Sequence, residues 1–443
     1  MNKAILPLML AALFAGTAHA ADLLSVYRDA VAYDAQFASA KAALDAGRER
    51  IPQARAGLLP AVNLSANTVW NEVDSTRKTD PPTTTASQFN TNGYALTLSQ
   101  PLFRWQNVVQ YQQSKLQVAQ AEAQFANARQ DLILRVAQAY FDVLLAQDSL
   151  QFAQAQKKAI SEQLEQAKRN FEVGTATIVD THEAQARYDL ATSQEIAAQN
   201  DLEVKRHALR QIIGKEPEPL RPLRPEVQLQ LPEPRDMGRW VGAAEQGNFL
   251  VQIAQMGLEI AAKEVEKQRA GHYPNVDVVA TRSRNASSGS VFSGVSFGGS
   301  VTESTTIGLQ LNLPLFAGFA TVSRTDEAAA LREKALADLE NSRRTAAQGA
   351  RQAYLGVTSG LAQVKALEQA LVSSQSALES NRLGYEVGVR INIDVLNAQQ
   401  QLYATQRDLA RARYDTLLAQ LRLKAAAAAL GEDDVQQINA LLQ

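Results

Sequence analysis

Gln53-Ala54-Arg55-Ala56-Gly57-Leu58-Leu59-Pro60 returns 214 positions on, from 53 to 267, as Lys267-Gln268-Arg269-Ala270-Gly271-His272-Tyr273-Pro274. Working outward, Pro101-Leu102-Phe103 recurs as Pro314-Leu315-Phe316 at an offset of 213. Phe171-Glu172-Val173-Gly174, followed by Asp180, recurs as Tyr385-Glu386-Val387-Gly388, followed by Asp394, again at 214. Landmarks in one order at a near-constant offset mark a duplicated half-molecule, and the period is far too long for a solenoid. Between the copies, the stretch from Pro217 to Pro234 carries six prolines and reads as an extended linker. The expected division is a first repeat over 21–214, a Pro-rich linker over 215–235, a second repeat over 236–431 and a C-terminal tail over 432–443. Each repeat is predicted to hold a helix, two strands and a long helical hairpin.

The strands follow from polarity of period two. After Pro60, Val62, Leu64, Ala66 and Trp70 fall on one face, with Asn63, Ser65 and Asn67 on the other. A second strand sets Tyr94, Leu96 and Leu98 against Thr97 and Ser99. The matching pair runs over about 275–286 and 303–313, where Ile307, Leu309, Leu311 and Leu313 alternate with Thr306, Gly308, Gln310 and Asn312. One apolar and one polar face is the pattern of a transmembrane β-barrel strand, and equally of any half-buried antiparallel sheet. The segments Thr76–Asn90 and Ser287–Thr302 are predicted as long surface loops. Phe103, Trp105, Phe316 and Phe319 fall just past the strand ends, where an aromatic belt or ordinary core packing would place them.

The rest reads as helix. No proline lies between Pro101 and Pro217 or after Pro314. Residues 104–170 are predicted to form one helix of about 100 Å. Its apolar positions step by four and three through Leu132, Val136, Ala139, Val143, Ala146 and Leu150, with a second stripe at Ile133, Ala137, Tyr140 and Leu144. Leu339, Ala346, Ala350, Val357 and Val364 repeat the register in the second half. Sustained 3.5-residue spacing argues for coiled-coil contacts. Two stripes on one helix call for partners on two sides, as in a closed ring of helices. Shorter helices are expected over 24–50 and 180–213.

Residues 1–20 read as a secretory signal: Lys3, an apolar run from Ile5 to Phe14, and Ala18-His19-Ala20 as cleavage site. The chain has no cysteine, which removes disulfides, thiol catalysis and a lipid anchor together. With 44 basic against 46 acidic residues, there is no electrostatic case for nucleic acid. The four histidines are scattered, no phosphate-binding glycine loop is present, and no metal or cofactor site is expected. Nothing resembles converging catalytic groups, and an enzyme is not expected.

Taken together, the paired helix–proline–strand junctions at Pro60 and Pro274, the Gln-Pro-Leu-Phe and Leu-Pro-Leu-Phe strand ends, and the two Val-Gly-x5-Asp turns resemble the TolC family of outer-membrane factors. The resemblance covers essentially the whole chain after residue 20. It implies an α+β membrane protein: a trimeric 12-stranded transmembrane β-barrel, four strands per subunit, continuous with a long periplasmic α-helical coiled-coil barrel. The barrel argument also stands alone, because four strands leave two unpaired edges that cannot face hydrocarbon.

The function so implied is an outer-membrane exit duct of a tripartite efflux pump or type I secretion system. Its implied partners are a homotrimer, a periplasmic adaptor (membrane-fusion) protein, an inner-membrane RND or ABC transporter, and outer-membrane lipid. Val173-Gly174 and Val387-Gly388 become the periplasmic tip turns where the adaptor docks, though helix caps alone explain the glycines. By motif position, the implied gate is Tyr385 and Arg390 bonding across to Asp180 and to backbone near Val179 on the first-repeat helix of a neighbouring coil. Read without the resemblance, Arg390 and Asp180 are solvated charges of the kind that contribute little. Asp394 and Asn397, at i and i+3, share a helix face and become the constriction, a carboxylate ring favouring cations. The family often has a second Asp where this chain has Asn397, so weaker cation selectivity is expected. Two other functions fit part of the pattern: a non-conducting periplasmic coiled-coil scaffold, and a surface receptor using the loops at 76–90 and 287–302.

Overall fold

A computed structural model of the chain describes residues 20–225, 227–292 and 295–443; the expected signal peptide lies outside them except for Ala20. The chain opens with helices α1 (Leu23–Tyr33), α2 (Ala35–Arg48) and α3 (Arg50–Ala56), then strands β1 (Ala61–Arg77) and β2 (Thr83–Phe103). Helices α4 (Trp105–Glu172), α5 (Ile178–Ile213), α6 (Met237–Gly247) and α7 (Phe249–Arg269) follow. Strands β3 (Asn275–Ser287), β4 (Ser290–Phe292), β5 (Val295–Phe297) and β6 (Ser300–Asn312) precede helices α8 (Ala320–Glu386), α9 (Asn392–Ala426) and α10 (Glu432–Asn439). The order helix, strands, long helix, shorter helix occurs twice. The chain forms two compact units, one of residues 43–123 and 253–340, the other of the remainder.

The first unit holds a four-stranded antiparallel sheet of order β1-β2-β3-β6, so the middle pair joins one repeat to the other. The register carries Val62 to Leu98, Ala280 and Ile307 on one face, and Asn63 to Thr97, Thr281 and Thr306 on the other. One face is thus apolar, and its side chains are bare: Leu64 is 71 % and Ile307 78 % exposed. The opposite face is mostly uncharged and polar. β1 and β6 are edges with no partner strand among the described residues. At the helical end, Arg104 Nε and Nη2 donate to the two carboxylate oxygens of Asp277 at 2.8 and 2.6 Å, holding the entry to α4 against β3. Among the described residues no helix is long and apolar enough to cross a membrane.

Both expected loops are shorter than predicted. The ladder between β1 and β2 extends to Arg77↔Thr83, so Thr83–Asn90 is strand and the connection is only 78–82. β-branched Thr83, Thr84 and Thr85 suit extended backbone, and Thr76 and Thr84 hydroxyls lie 3.0 Å apart across the ladder. The 287–302 segment carries the small β4–β5 pair.

The second unit is helical. Its main core gathers α1, α4, α5, α9 and α10 around residues 132–146 of α4, where both predicted stripes are buried together, Leu132 and Val136 with Ile133, Ala137, Tyr140 and Leu144. The Tyr140 hydroxyl donates to the Arg221 carbonyl at 2.8 Å, and Leu220 joins the core, so the proline-rich segment is strapped to the helices. The expected tail is helical and packed, with Val435, Ile438 and Leu442 buried. Smaller clusters serve the second repeat, one around Trp240, Val357 and Leu423, another around Val364, Leu409 and Ala412.

The helix expected over 24–50 is split into α1 and α2, with α3 starting only at Arg50, and Asp34 makes the first break. Its Oδ1 accepts from the Phe37 N–H at 2.7 Å, capping α2. Arg135 of α4 donates to both its carboxylate oxygens at 2.8 and 3.0 Å. The guanidinium hydrogen bonds hold the Asp34 carboxyl below its ordinary value of 3.8, against the opposing effect of burial. A depressed folded-state pKa stabilises above the unfolded pKa, and that stability is lost as pH falls through the folded value. Asp34→Asn is therefore expected to lower stability by about 1–3 kcal/mol at pH 7. The gap from wild type should close as pH drops below 3.8; melting temperatures of both proteins across pH 2–7 check it.

Candidate functional site

The two helical hairpins reverse at residues 173–177 and 387–391. Gly174 and Gly388 adopt φ of 77° and 79°, left-handed values that any side chain would strain. A Cβ on either would meet nothing within 4 Å, so backbone conformation alone demands glycine there. Around the first turn, Thr175 N–H returns to the Asn170 carbonyl at 2.8 Å; around the second, Val389 N–H returns to that of Gly384 at 2.9 Å. Val173, Val179, Val387 and Val389 are left exposed at these turns, an apolar surface with no internal use.

Leaving the turns, the two repeats part company. α5 starts with a capping box: Asp180 N–H donates to Thr177 Oγ1 at 3.3 Å, while Asp180 Oδ2 accepts from Thr177 N–H at 2.9 Å and its hydroxyl at 2.8 Å. The copy of Thr177 is Ile391, which has no hydroxyl, and α9 has no side-chain cap. Asp394, the copy of Asp180, is thus freed, and Arg390 approaches it at 3.6 Å. The Tyr385 hydroxyl accepts from Asn170 Nδ2 at 3.2 Å. Within one chain, Tyr385, Arg390 and Asp180 therefore each have a different side-chain partner, and the bonds expected among them are not formed here.

What links the two hairpins is a set of amides and one arginine, of which sequence reading had singled out only Asn397. Asn392, 1 % exposed, accepts from Gln163 Nε2 of α4 at 2.6 Å and donates to the Asp180 carbonyl at 3.4 Å. Arg187 of α5 spans to α9, with Nη1 on Gln400 Oε1 at 2.6 Å and Nη2 on Asn397 Oδ1 at 2.9 Å. Asn392 stands where the first repeat has Ile178; a buried polar residue replacing an apolar one between aligned copies was the signal available. Among the described residues no His, Cys, Asp and Glu cluster could hold a metal ion.

A duplicated helical chain with one amphipathic four-stranded sheet and two glycine-turned hairpin tips is the architecture of an outer-membrane efflux protein. The model of the outer membrane efflux protein family matches residues 26–215 and again 240–429, so this chain belongs to that family. The paired matches lie at the same 214-residue offset and bear out the duplication. The chain is 33% identical to outer membrane protein TolC of Vibrio cholerae, covering 100% of this chain and 99% of that one. It is 30% identical to the proteases secretion protein PrtF of Dickeya chrysanthemi, over 100% and 96% of the two chains. The crystal structure of the outer membrane protein VceC from Vibrio cholerae superposes with TM-score 0.76 at 20% identity, covering 92% of this chain and 96% of that one. The family is one of efflux proteins of the outer membrane rather than of enzymes.

Replacing Asn392 by Ala removes the acceptor of a buried Gln163 amide, a local cost of about 1–3 kcal/mol. Amide hydrogen exchange in the first turns of α5 and α9 is expected to quicken by roughly ten- to a hundred-fold. Exchange in the core around Tyr140 should stay as in wild type.

Proposed function

We propose that three copies of this chain close a twelve-stranded barrel in the outer membrane, over a periplasmic tunnel of helices gated at the hairpin tips. The bare apolar face of a sheet with two unpartnered edges carries the proposal. Such a sheet is stable in hydrocarbon only when every strand is paired, and closed bacterial barrels begin at about eight strands. Three times four is an even number above that threshold. Exposed apolar residues on α5 (Ile196, Val204) and on α8 (Leu355, Val372) supply surface for neighbouring copies in the same ring.

The duct conducts substrates delivered by an inner-membrane RND or ABC transporter through a periplasmic adaptor protein. The family's efflux description, and relatives named for protease secretion, support export in either setting. The exposed valines of both tip turns suit docking of the adaptor. In the closed state, Tyr385 and Arg390 of one hairpin exchange their in-chain partners for Asp180 and the backbone near Val179 of a neighbour.

Asp394 forms the constriction ring. Asn397 adds no charge to it, and Arg187 sets a guanidinium at the neighbouring position. Cation selectivity and divalent-ion block should accordingly be weak for a single carboxylate ring.

Single-channel currents in a planar bilayer test the gate. Wild type should give a small current that grows several-fold in Tyr385→Phe with Arg390→Ser; silence from both, with trimers intact, would favour a non-conducting scaffold. In the same apparatus, Asp394→Asn should remove what divalent block remains, and Arg187→Gln should strengthen cation preference. Unchanged selectivity in both would take the constriction away from α9.

A further inference from the structure

The apolar face of β3 and β6 carries three charges, and they lie together. Arg282 and Arg284 share that face with Val278 and Ala280; register sets Glu303 of β6 opposite Arg284 and Thr305 opposite Arg282. Glu303 reaches both guanidiniums only loosely, at 4.0 Å from Arg282 and 3.8 Å from Arg284, leaving one net positive charge. No acidic side chain stands on this face of β2; Glu72 and Asp74 of β1 pair with rows of β2 beyond the end of β3. Arg282 is 72 % exposed.

We propose that Arg282 and Arg284 bind the phosphate of a lipid headgroup in the outward leaflet of the membrane. The inference rests on the barrel reading, which makes this face the lipid-facing one. An arginine on that face is costly at the bilayer midplane and almost free at its borders. From Leu313 to Thr305 is about 27 Å of extended chain, or about 21 Å of height at a barrel tilt of roughly 40°. Glu303 and Arg284 lie one step further. An apolar band about 25 Å tall therefore ends at these two rows, the border remote from the helices. Tyr94 is the register partner of Arg284 and is exposed on the same face, as suits an aromatic at headgroup depth.

Alternate residues of a strand put the Cα atoms of Arg282 and Arg284 about 7 Å apart with both side chains on one face. That spacing lets their planar forks close on one phosphate from two sides, in the paired N–H···O geometry guanidinium forms with phosphate. Glu303, too distant for good hydrogen bonds, leaves those donors available.

Full-length protein reconstituted in phosphatidylcholine vesicles, with a trace of spin-labelled phosphatidic acid or spin-labelled phosphatidylcholine, tests the site. Motionally restricted label should favour phosphatidic acid about five-fold, the worth of one cation near a membrane surface. Arg282→Gln with Arg284→Gln should bring the ratio to about one while leaving single-channel conductance unchanged, and Glu303→Gln should raise it. A preference that survives the double substitution overturns the proposal. So does a preference abolished by inorganic phosphate in solution, which would make this a free-anion site. Equal restriction of both lipids by wild type also overturns it but keeps the barrel, whereas restriction of neither lipid removes the barrel reading itself.

Discussion

Backbone pairing at the two sheet edges is the constraint on which the rest of this molecule turns. Among the described residues, β1 pairs only with β2, and β6 only with β3. Each unpaired N–H or C=O costs several kcal/mol in hydrocarbon, so two bare edges of 17 and 13 residues would exceed the whole stability of a typical domain. No rearrangement of one copy removes both edges, because four strands are too few to close. The strand ends agree with this demand. Pro60 precedes β1, Pro274 precedes β3 and Pro314 follows β6, positions where a missing N–H leaves no gap in the ladder. Pro101 lies inside β2, at the register shift before Phe103.

Duplication supplies two hairpins of one design, and divergence gives them different work. The Thr177–Asp180 box caps α5 and occupies its carboxylate locally. Ile391 abolishes the same box in α9, and Asp394 is left facing Arg390. Ile178 becomes Asn392, which ties α9 to Gln163 of α4 and to the Asp180 carbonyl. One repeat therefore keeps a self-contained helix start, while the other gives its polar groups to its neighbours. A rigid element beside a dependent one suits the tip movement proposed above.

Much of this was legible in the sequence because it depends on period. The 214-residue offset, the alternating strands and the two apolar stripes of α4 each repeat often enough to be read from sequence, and the structure forms these elements where they were expected. What failed was local and chemical. The Thr76–Asn90 stretch looked like loop because it is polar, yet a strand with no buried face needs no apolar alternation. Asp34 breaks the first helix because Arg135 binds it from a residue 101 positions away, which no local pattern can announce. At the tips, motif positions named Tyr385, Arg390 and Asp180 but not their in-chain partners. Asn170 is an unremarkable polar residue until the fold sets it beside Tyr385.

The strengths of the tip bonds bear on how the proposed closure is reversed. Arg390 and Asp394 meet at 3.6 Å with the arginine side chain 59% exposed, and such pairs contribute about 0–1 kcal/mol. Exchanging that partner for a carboxylate on a neighbouring copy therefore changes the free energy little in either direction. The Asn392 amide, buried and bonded on both sides, is worth more and does not exchange without leaving Gln163 unsatisfied. The hairpins should consequently move as units held by Asn392, with only the exposed arginine and the half-buried tyrosine changing hands. An adaptor contact worth about 1–3 kcal/mol, the usual size of coupling between sites, is then enough to shift the balance per subunit. A stronger latch would need a correspondingly stronger docking interaction, and the solvated chemistry of Arg390 keeps that demand low.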